Sequence, residues 1–183
     1  RAARWHDLGK AHEVFQQTMR NGLGAHDGTL LAKSPGNRRH SRAGFRHELA
    51  SALALLTVEQ WRREADLVAY LIAAHHGKVR LSLRAWPGEA VPPDGRRFAR
   101  GIHEGDMLEA VDLGDGESWP GGALTLSVME LGRDPETGAS WTERSRALLS
   151  EWGPFRFAWA EALLRIADWR ASAAEEKTEP ADG

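Results

Sequence analysis

Residues 45–77 read FRHELASALALLTVEQWRREADLVAYLIAAHHG, and their apolar spacing decides the fold class. Leu49, Leu53 and Leu56 recur at helical intervals and predict a helix over about 45–56. Trp61, Leu67, Val68, Leu71 and Ile72 predict a second over 60–75, facing inward, with Gly77 as its stop signal. Upstream, Trp5, Leu8, Val14 and Phe15 form an interrupted helical stripe over residues 2–19, closed by Asn21-Gly22. The glycine-, serine- and arginine-rich stretch 21–43 reads as a loop. Residues 78–140 change character: five prolines and most of the glycines make a helix-poor insert, in which 107–113 and 123–131 are expected to pair as a small hairpin. Helical pattern resumes after Ser140, a candidate N-cap, and runs to Trp152. Gly153-Pro154 punctuates it, and a last helix over about 155–174 places Phe157, Ala160, Leu164 and Ala167 on one side. The acidic end, 175–183, is expected to be a frayed tail. The expectation is therefore a mostly α, single-domain bundle over 1–183 with an irregular or short β insertion around 78–140. Because the chain opens without methionine and inside a helical pattern, it reads as a piece of a longer protein.

Composition bounds what such a bundle can do. At 42% hydrophobic and 27% charged, the 183 residues are those of an ordinary globular domain. The absence of cysteine excludes disulfides, thiolate zinc and iron–sulfur sites, and suits a reducing compartment. No apolar run approaches the roughly 20 residues of a membrane span, and no signal peptide opens the chain. A cytoplasmic location with no membrane partner is the expectation. The net charge of −2 hides arginine clusters at Arg38-Arg39, Arg42 and Arg46, whose planar forks suit phosphate. Solvated surface charge explains any one cluster equally well.

The chemistry starts at His6-Asp7 in WHDLGKAHEVFQ. Neighbours on a helix diverge by about 100°, so this pair grips a metal only from its flank, and the two oxygens of Asp7 allow it to bridge to a second ion. Lys10, three residues on, shares the face of Asp7 and offers a point charge to a phosphate oxygen. His47 opens the helix in RHELAS, His75-His76 end the next in AAHHG, and Asp168 lies in LLRIADWRAS. Taken singly, each has an ordinary reading: a helix-end cap for His75 or His76, a surface residue for His47, an arginine partner for Asp168. Together, four helices carry imidazole or carboxylate beside small residues, a donor set without sulfur that suits Mn, Fe, Co or Ni. A second pair, His26-Asp27, sits among glycines and reads as a surface turn. His12 is expected at the surface, and His40 and His103 lack ligand-like neighbours. Trp5 and Trp169 flank candidate ligands and are possible site walls; the other tryptophans read as core. No phosphate-cradling glycine loop and no serine or cysteine nucleophile is present.

These segments, in this order and with the tandem histidine, resemble the HD metallohydrolase superfamily, and more narrowly the HD nuclease domain of the type I CRISPR-associated helicase-nuclease. The resemblance implies an HD-domain helical bundle and a metal-dependent nuclease cutting single-stranded DNA in antiviral defence, with two divalent ions and no organic cofactor. One ion would be held by His6, Asp7 and Asp168, the other by Asp7, His47, His75 and His76, with Lys10 beside them. The family's first set also takes a histidine from a preceding helix, which has no counterpart before Arg1; the expectation is a first metal held weakly unless that helix or a water completes it. The implied partners are single-stranded DNA, a helicase domain in the same or another chain, and an RNA-guided surveillance complex. Arg38, Arg39, Arg42 and Arg46 are the candidate track for the strand's backbone. Two other readings stay open: an HD nucleotide phosphohydrolase, and a non-catalytic docking or nucleic-acid-binding module.

Overall fold

A computed structural model describes residues 1–21, 29–32, 39–59, 63–134 and 138–178. The helices are α1 (Ala2–Trp5), α2 (Glu13–Arg20), α3 (His47–Glu59), α4 (Arg63–Ala74) and α5 (Trp141–Thr178). The mostly α expectation holds. α3 is the axis of the bundle: every residue from Glu48 to Leu56 is buried. Residues 49–56 are apolar or small on all sides, the pattern of a stretch with no solvent face, whereas Thr57 and Val58 at the helix end are exposed. Burying Leu49, Leu53, Leu55 and Leu56 contributes about 2 kcal/mol each.

α4 packs along α3 through a face that the leucine spacing does not mark. Ala65, Ala69, Tyr70, Ile72 and Ala73 are buried, whereas Leu67, Val68 and Leu71 are half-buried. The small alanines let the helix backbones approach, and the larger leucines fill the flanks. Trp61 lies outside the described residues.

α5 is two helical stretches joined at Gly153, whose backbone is non-helical (φ 72°, ψ 156°), with Pro154 opening the second. This is the break the sequence predicts. Ser140 caps the first stretch, accepting from the Glu143 N–H at 3.3 Å, and the Arg144 guanidinium pairs with Asp66 of α4 at 3.0 Å. In the second stretch Tyr70 stacks on Phe157 at 4.1 Å between ring centres and donates to Glu161 at 2.7 Å. Phe157 and Leu164 are buried as expected, but Ala167 is exposed. The helix also runs on to Thr178, four residues beyond its predicted end and into the expected tail.

The N-terminal stripe is not one helix. α1 stops at Trp5, a 3-10 turn spans Leu8–Ala11, and α2 restarts at Glu13. The interruption in the apolar stripe marks this break. His12 caps α2, its Nδ1 accepting from the Val14 N–H at 3.1 Å.

Among the described residues the insert holds a 3-10 turn (Ser127–Met129) and eight short strands in four antiparallel pairs: β1 (Phe98–Ala99) with β2 (Ile102–His103), β3 (Met107–Leu108) with β6 (Gly122–Ala123), β4 (Val111–Gly114) with β5 (Glu117–Trp119), and β7 (Arg133–Asp134) with β8 (Gly138–Ala139). The expected hairpin is present only where Met107 faces Ala123 and Leu108 faces Gly122. Between them Val111–Trp119 folds back on itself around Asp115-Gly116. Ala99, Ile102, Leu108, Trp119, Leu124 and Leu126 nevertheless join the same core as Trp5 and α3. Among the described residues no helix is long and apolar enough to cross a membrane.

Candidate metal centre

Ser51, one turn into α3, fixes the N-terminal segment over the site. Its hydroxyl accepts from the Gly9 N–H at 2.7 Å and lies within donating distance of the carbonyls of His6 (2.8 Å) and His47 (3.0 Å). Gly9 makes the approach possible: a Cβ there would sit 2.0 Å from the His47 carbonyl oxygen and 2.9 Å from Ala50 Cβ. His6 and Asp7 thus leave the end of α1 directly above the start of α3. They occupy a turn, not the continuous helix expected from the apolar stripe.

Four chain segments converge here. Asp7 Oδ1 lies 3.3 Å from His47 Nε2, while its Oδ2 lies 3.4 Å from His6 Nε2 and 2.6 Å from Lys10 Nζ. From α5, Asp168 Oδ1 reaches 3.3 Å from the same His6 Nε2. The His75 ring stands 5.1 Å from that of His6, 5.7 Å from that of His47 and 4.0 Å from that of His76. Donor atoms of His47, His75 and His76 lie within 4.8 Å of one another, as do those of His6, Asp7 and His75. His75 therefore stands between both groups. α5 is held against this end of α4 by Arg165, whose Nε donates to the His75 carbonyl at 3.1 Å.

The tautomers leave lone pairs facing inward. His75 Nδ1 donates to the Ile72 carbonyl at 2.6 Å, so its Nε2 is a bare acceptor, buried with no hydrogen-bond partner among the described residues. His6 Nδ1 likewise donates to the Ala3 carbonyl at 2.8 Å, which turns its Nε2 toward Asp168 Oδ1, at hydrogen-bond distance (3.3 Å), and toward Asp7. His47 Nε2 is buried close to Asp7 without hydrogen-bond alignment. Nitrogen and carboxylate lone pairs facing each other at this range repel unless a proton or a metal cation lies between them. The donor set thus fits divalent metal.

Electrostatics point the same way. Burial would raise the Asp7 carboxyl, but His47, His6 and Lys10 outweigh it and hold the group well below the usual carboxylate range. Burial pushes His75 down to about 4, reinforced by the neighbouring imidazoles and opposed by its bond to Ile72. His76 is also lowered, first by burial and then by His47, against the pull of Glu48, Asp168 and Asp7. Near neutral pH these groups are in the deprotonated forms that bind metal.

Two residues near the site escaped sequence reasoning. Glu48 is buried, with Oε2 3.7 Å from His47 Nδ1 and Oε1 without a partner among the described residues; its carboxylate lies behind the imidazole that faces Asp7. An acid followed by eight apolar or small residues, 49–56, was its signal. His12, expected at the surface, is 2% exposed and donates from Nε2 to Asp106 at 3.1 Å. Asp106 also accepts from Arg42 and from the His103 N–H at 2.8 Å, so these residues tie the insert to the bundle.

Of the arginine track, Arg42 is turned to Asp106 and the Gly101 carbonyl. Arg39 and Arg46 line a cavity beside the site, and Arg38 lies outside the described residues, as does His26-Asp27. His40 hydrogen-bonds Thr18 at 2.9 Å. Trp5 is a core residue bonded to Glu117, and Trp169 is exposed beneath Arg165.

No curated protein and no solved structure matches the chain. The family model described as "Cas3, HD domain" matches residues 2–176, nearly the whole chain and all of the converging segments. The chain belongs to the Cas3 HD-domain family, a family of CRISPR-associated HD nucleases.

Proposed function

We propose that the chain is a metal-dependent phosphodiesterase that cuts single-stranded DNA in CRISPR antiviral defence. The observation that carries this reading is the convergence of nitrogen and carboxylate donors from His6, Asp7, His47, His75, His76 and Asp168, with His47 Nε2 and His75 Nε2 buried and without hydrogen-bond partners among the described residues. His6, Asp7 and Asp168 would hold one divalent ion, and Asp7, His47, His75 and His76 a second. His75 stands close enough to serve either group. Such ions, of the Mn, Fe, Co or Ni kind, lower the pKa of a water and polarise a phosphate.

The protein's own residues do the rest. Asp7 directs its two oxygens to different neighbours, which suits a shared ligand. Lys10 holds Asp7 in place and supplies positive charge where the equatorial oxygens of an attacked phosphate gain negative charge. The Ile72 and Ala3 carbonyls accept from Nδ1 of His75 and His6 and so hold Nε2 of each toward the site, while Glu48 lies 3.7 Å behind His47. A helicase domain, in the same chain or a partner, would deliver the strand after binding to an RNA-guided surveillance complex.

Asp7→Ala should abolish manganese-dependent cutting of a labelled single strand while leaving the far-ultraviolet circular dichroism unchanged. Cutting at the wild-type rate by that variant would overturn the mechanism. The nucleotide phosphohydrolase reading shares the same donor set, and turnover of a dNTP panel with no cutting of the strand would favour it. A docking module without catalysis would purify without stoichiometric transition metal.

A further inference from the structure

Beside the metal centre lies a cavity of about 590 Å³ lined by Arg39, His40, Gly44, Phe45, Arg46, Trp86 and Arg100. It is open and strongly basic. None of its three arginine side chains pairs with a carboxylate among the described residues. Glu89, the acid on the same loop as Trp86, is engaged by the N–H groups of Trp86, Arg100 and Gly101. Three unneutralised guanidiniums around one void repel one another unless an anion occupies it.

The walls are as suggestive as the charge. The Trp86 Nε1–H and Arg46 Nε–H are buried with no acceptor among the described residues, and buried donors are ordinarily satisfied. Gly44 (φ 76°) lies on the indole edge, where a Cβ would meet Nε1 at 2.6 Å, so the aromatic wall exists only because this position lacks a side chain. His40, held neutral chiefly by burial, shares its bond with Thr18 Oγ1, whose own proton goes to the Val14 carbonyl. His40 Nδ1 is therefore the donor, and Nε2 is left as an acceptor. The cavity thus offers cationic forks, an aromatic wall and an imidazole acceptor. One ring separates it from the metal centre: Phe15 lies 5.7 Å from His40 and 5.9 Å from His47.

We propose that this cavity holds a nucleotide unit of the DNA strand next to the one being cut, its phosphate on Arg39, Arg46 and Arg100 and its base toward Trp86. The proposal rests on the single-strand reading above and assigns the side from which the strand approaches His47. Arginine forks read phosphate without regard to sequence, and aromatic walls accept any base, so the site binds without sequence preference.

The test is binding of a short fluorescent oligodeoxynucleotide to the full chain in EDTA, followed by anisotropy at several salt concentrations. Paired Arg39→Gln and Arg100→Gln should weaken binding and flatten the dependence of log affinity on log salt by about 0.7 per arginine removed. Arg39→Lys with Arg100→Lys should restore the slope, which a merely structural role would not do. Unchanged affinity and slope in the glutamine variant, with the wild type still cutting the strand, overturns the cavity assignment alone. A wild type that neither binds nor cuts the oligonucleotide overturns the single-strand reading and the cavity with it.

Discussion

Gly9→Ala isolates the geometry of the centre from its chemistry, because Gly9 carries no charge, ligates nothing and has no left-handed backbone to relieve. The added methyl would lie 2.0 Å from the His47 carbonyl oxygen and 2.8 Å from its carbon. The obstacle is backbone, so no rotamer change removes it; the turn must lift off α3. Overpacking of this kind costs about 1–3 kcal/mol, and lifting the turn also forfeits the Gly9–Ser51 bond, worth about 1 kcal/mol. A chain of this size loses roughly 2–4 °C in Tm per kcal/mol, so a fall of roughly 5–15 °C is expected by differential scanning calorimetry. The same displacement carries Asp7 and Lys10 away from His47. Misplacement by about 1 Å costs on the order of a hundredfold in rate, so cutting should fall by that factor. Ala50→Gly should not rescue it, since the nearest clash is with a carbonyl. An unchanged Tm together with wild-type manganese affinity would refute the claim that close contact at Gly9 sets the site.

In EDTA, stability should fall as pH drops from about 6.5 to about 4. The unfolded chain takes up a proton at the ordinary histidine value, while buried His75 resists until about 4. The loss is about 3 kcal/mol for His75 alone, with His40, His76 and His103 shifting in the same direction; a urea midpoint flat over that window would contradict it. Manganese at a hundred times its dissociation constant should stabilise the chain by about 2.7 kcal/mol, and Asp7→Ala should lose most of that gain when read by thermal melting. Asp106→Ala strands the buried His12 and the half-buried Arg42, at a cost of about 3 kcal/mol. Because Asp106 touches no candidate ligand, manganese affinity at a temperature where the variant is folded should stay near the wild-type value.

How much of this was legible beforehand depended on whether the signal was local. Gly153-Pro154, the Ser140 cap and the Gly77 stop are backbone chemistry within a few residues, and all three fall where the sequence puts them. The tandem histidine and the aspartates are visible as residue types, and four separated segments do meet. The break at His6-Asp7 was half visible, as a gap in an apolar stripe, because the stripe records burial and not the carbonyl of His47 that bends the chain. The roles of His12 and Arg42 were hidden for another reason: both depend on Asp106, more than sixty positions away, and no periodicity encodes a contact of that range. α4 shows the same limit, since its inward face is chosen by how closely two backbones can approach and not by which residues are largest.

The burial of α3 from Glu48 to Leu56 has a kinetic corollary. A stretch with no wet side opens only when the whole domain does, so its amides should be among the slowest to exchange with deuterium. The second stretch of α5, with Phe155, Trp159, Leu163, Ile166 and Trp169 at the surface, should exchange on a far shorter timescale. His47 rides on the first and Asp168 on the second, so the centre joins a persistent part of the fold to a more labile one, and Asp168 would be the first candidate ligand to let go.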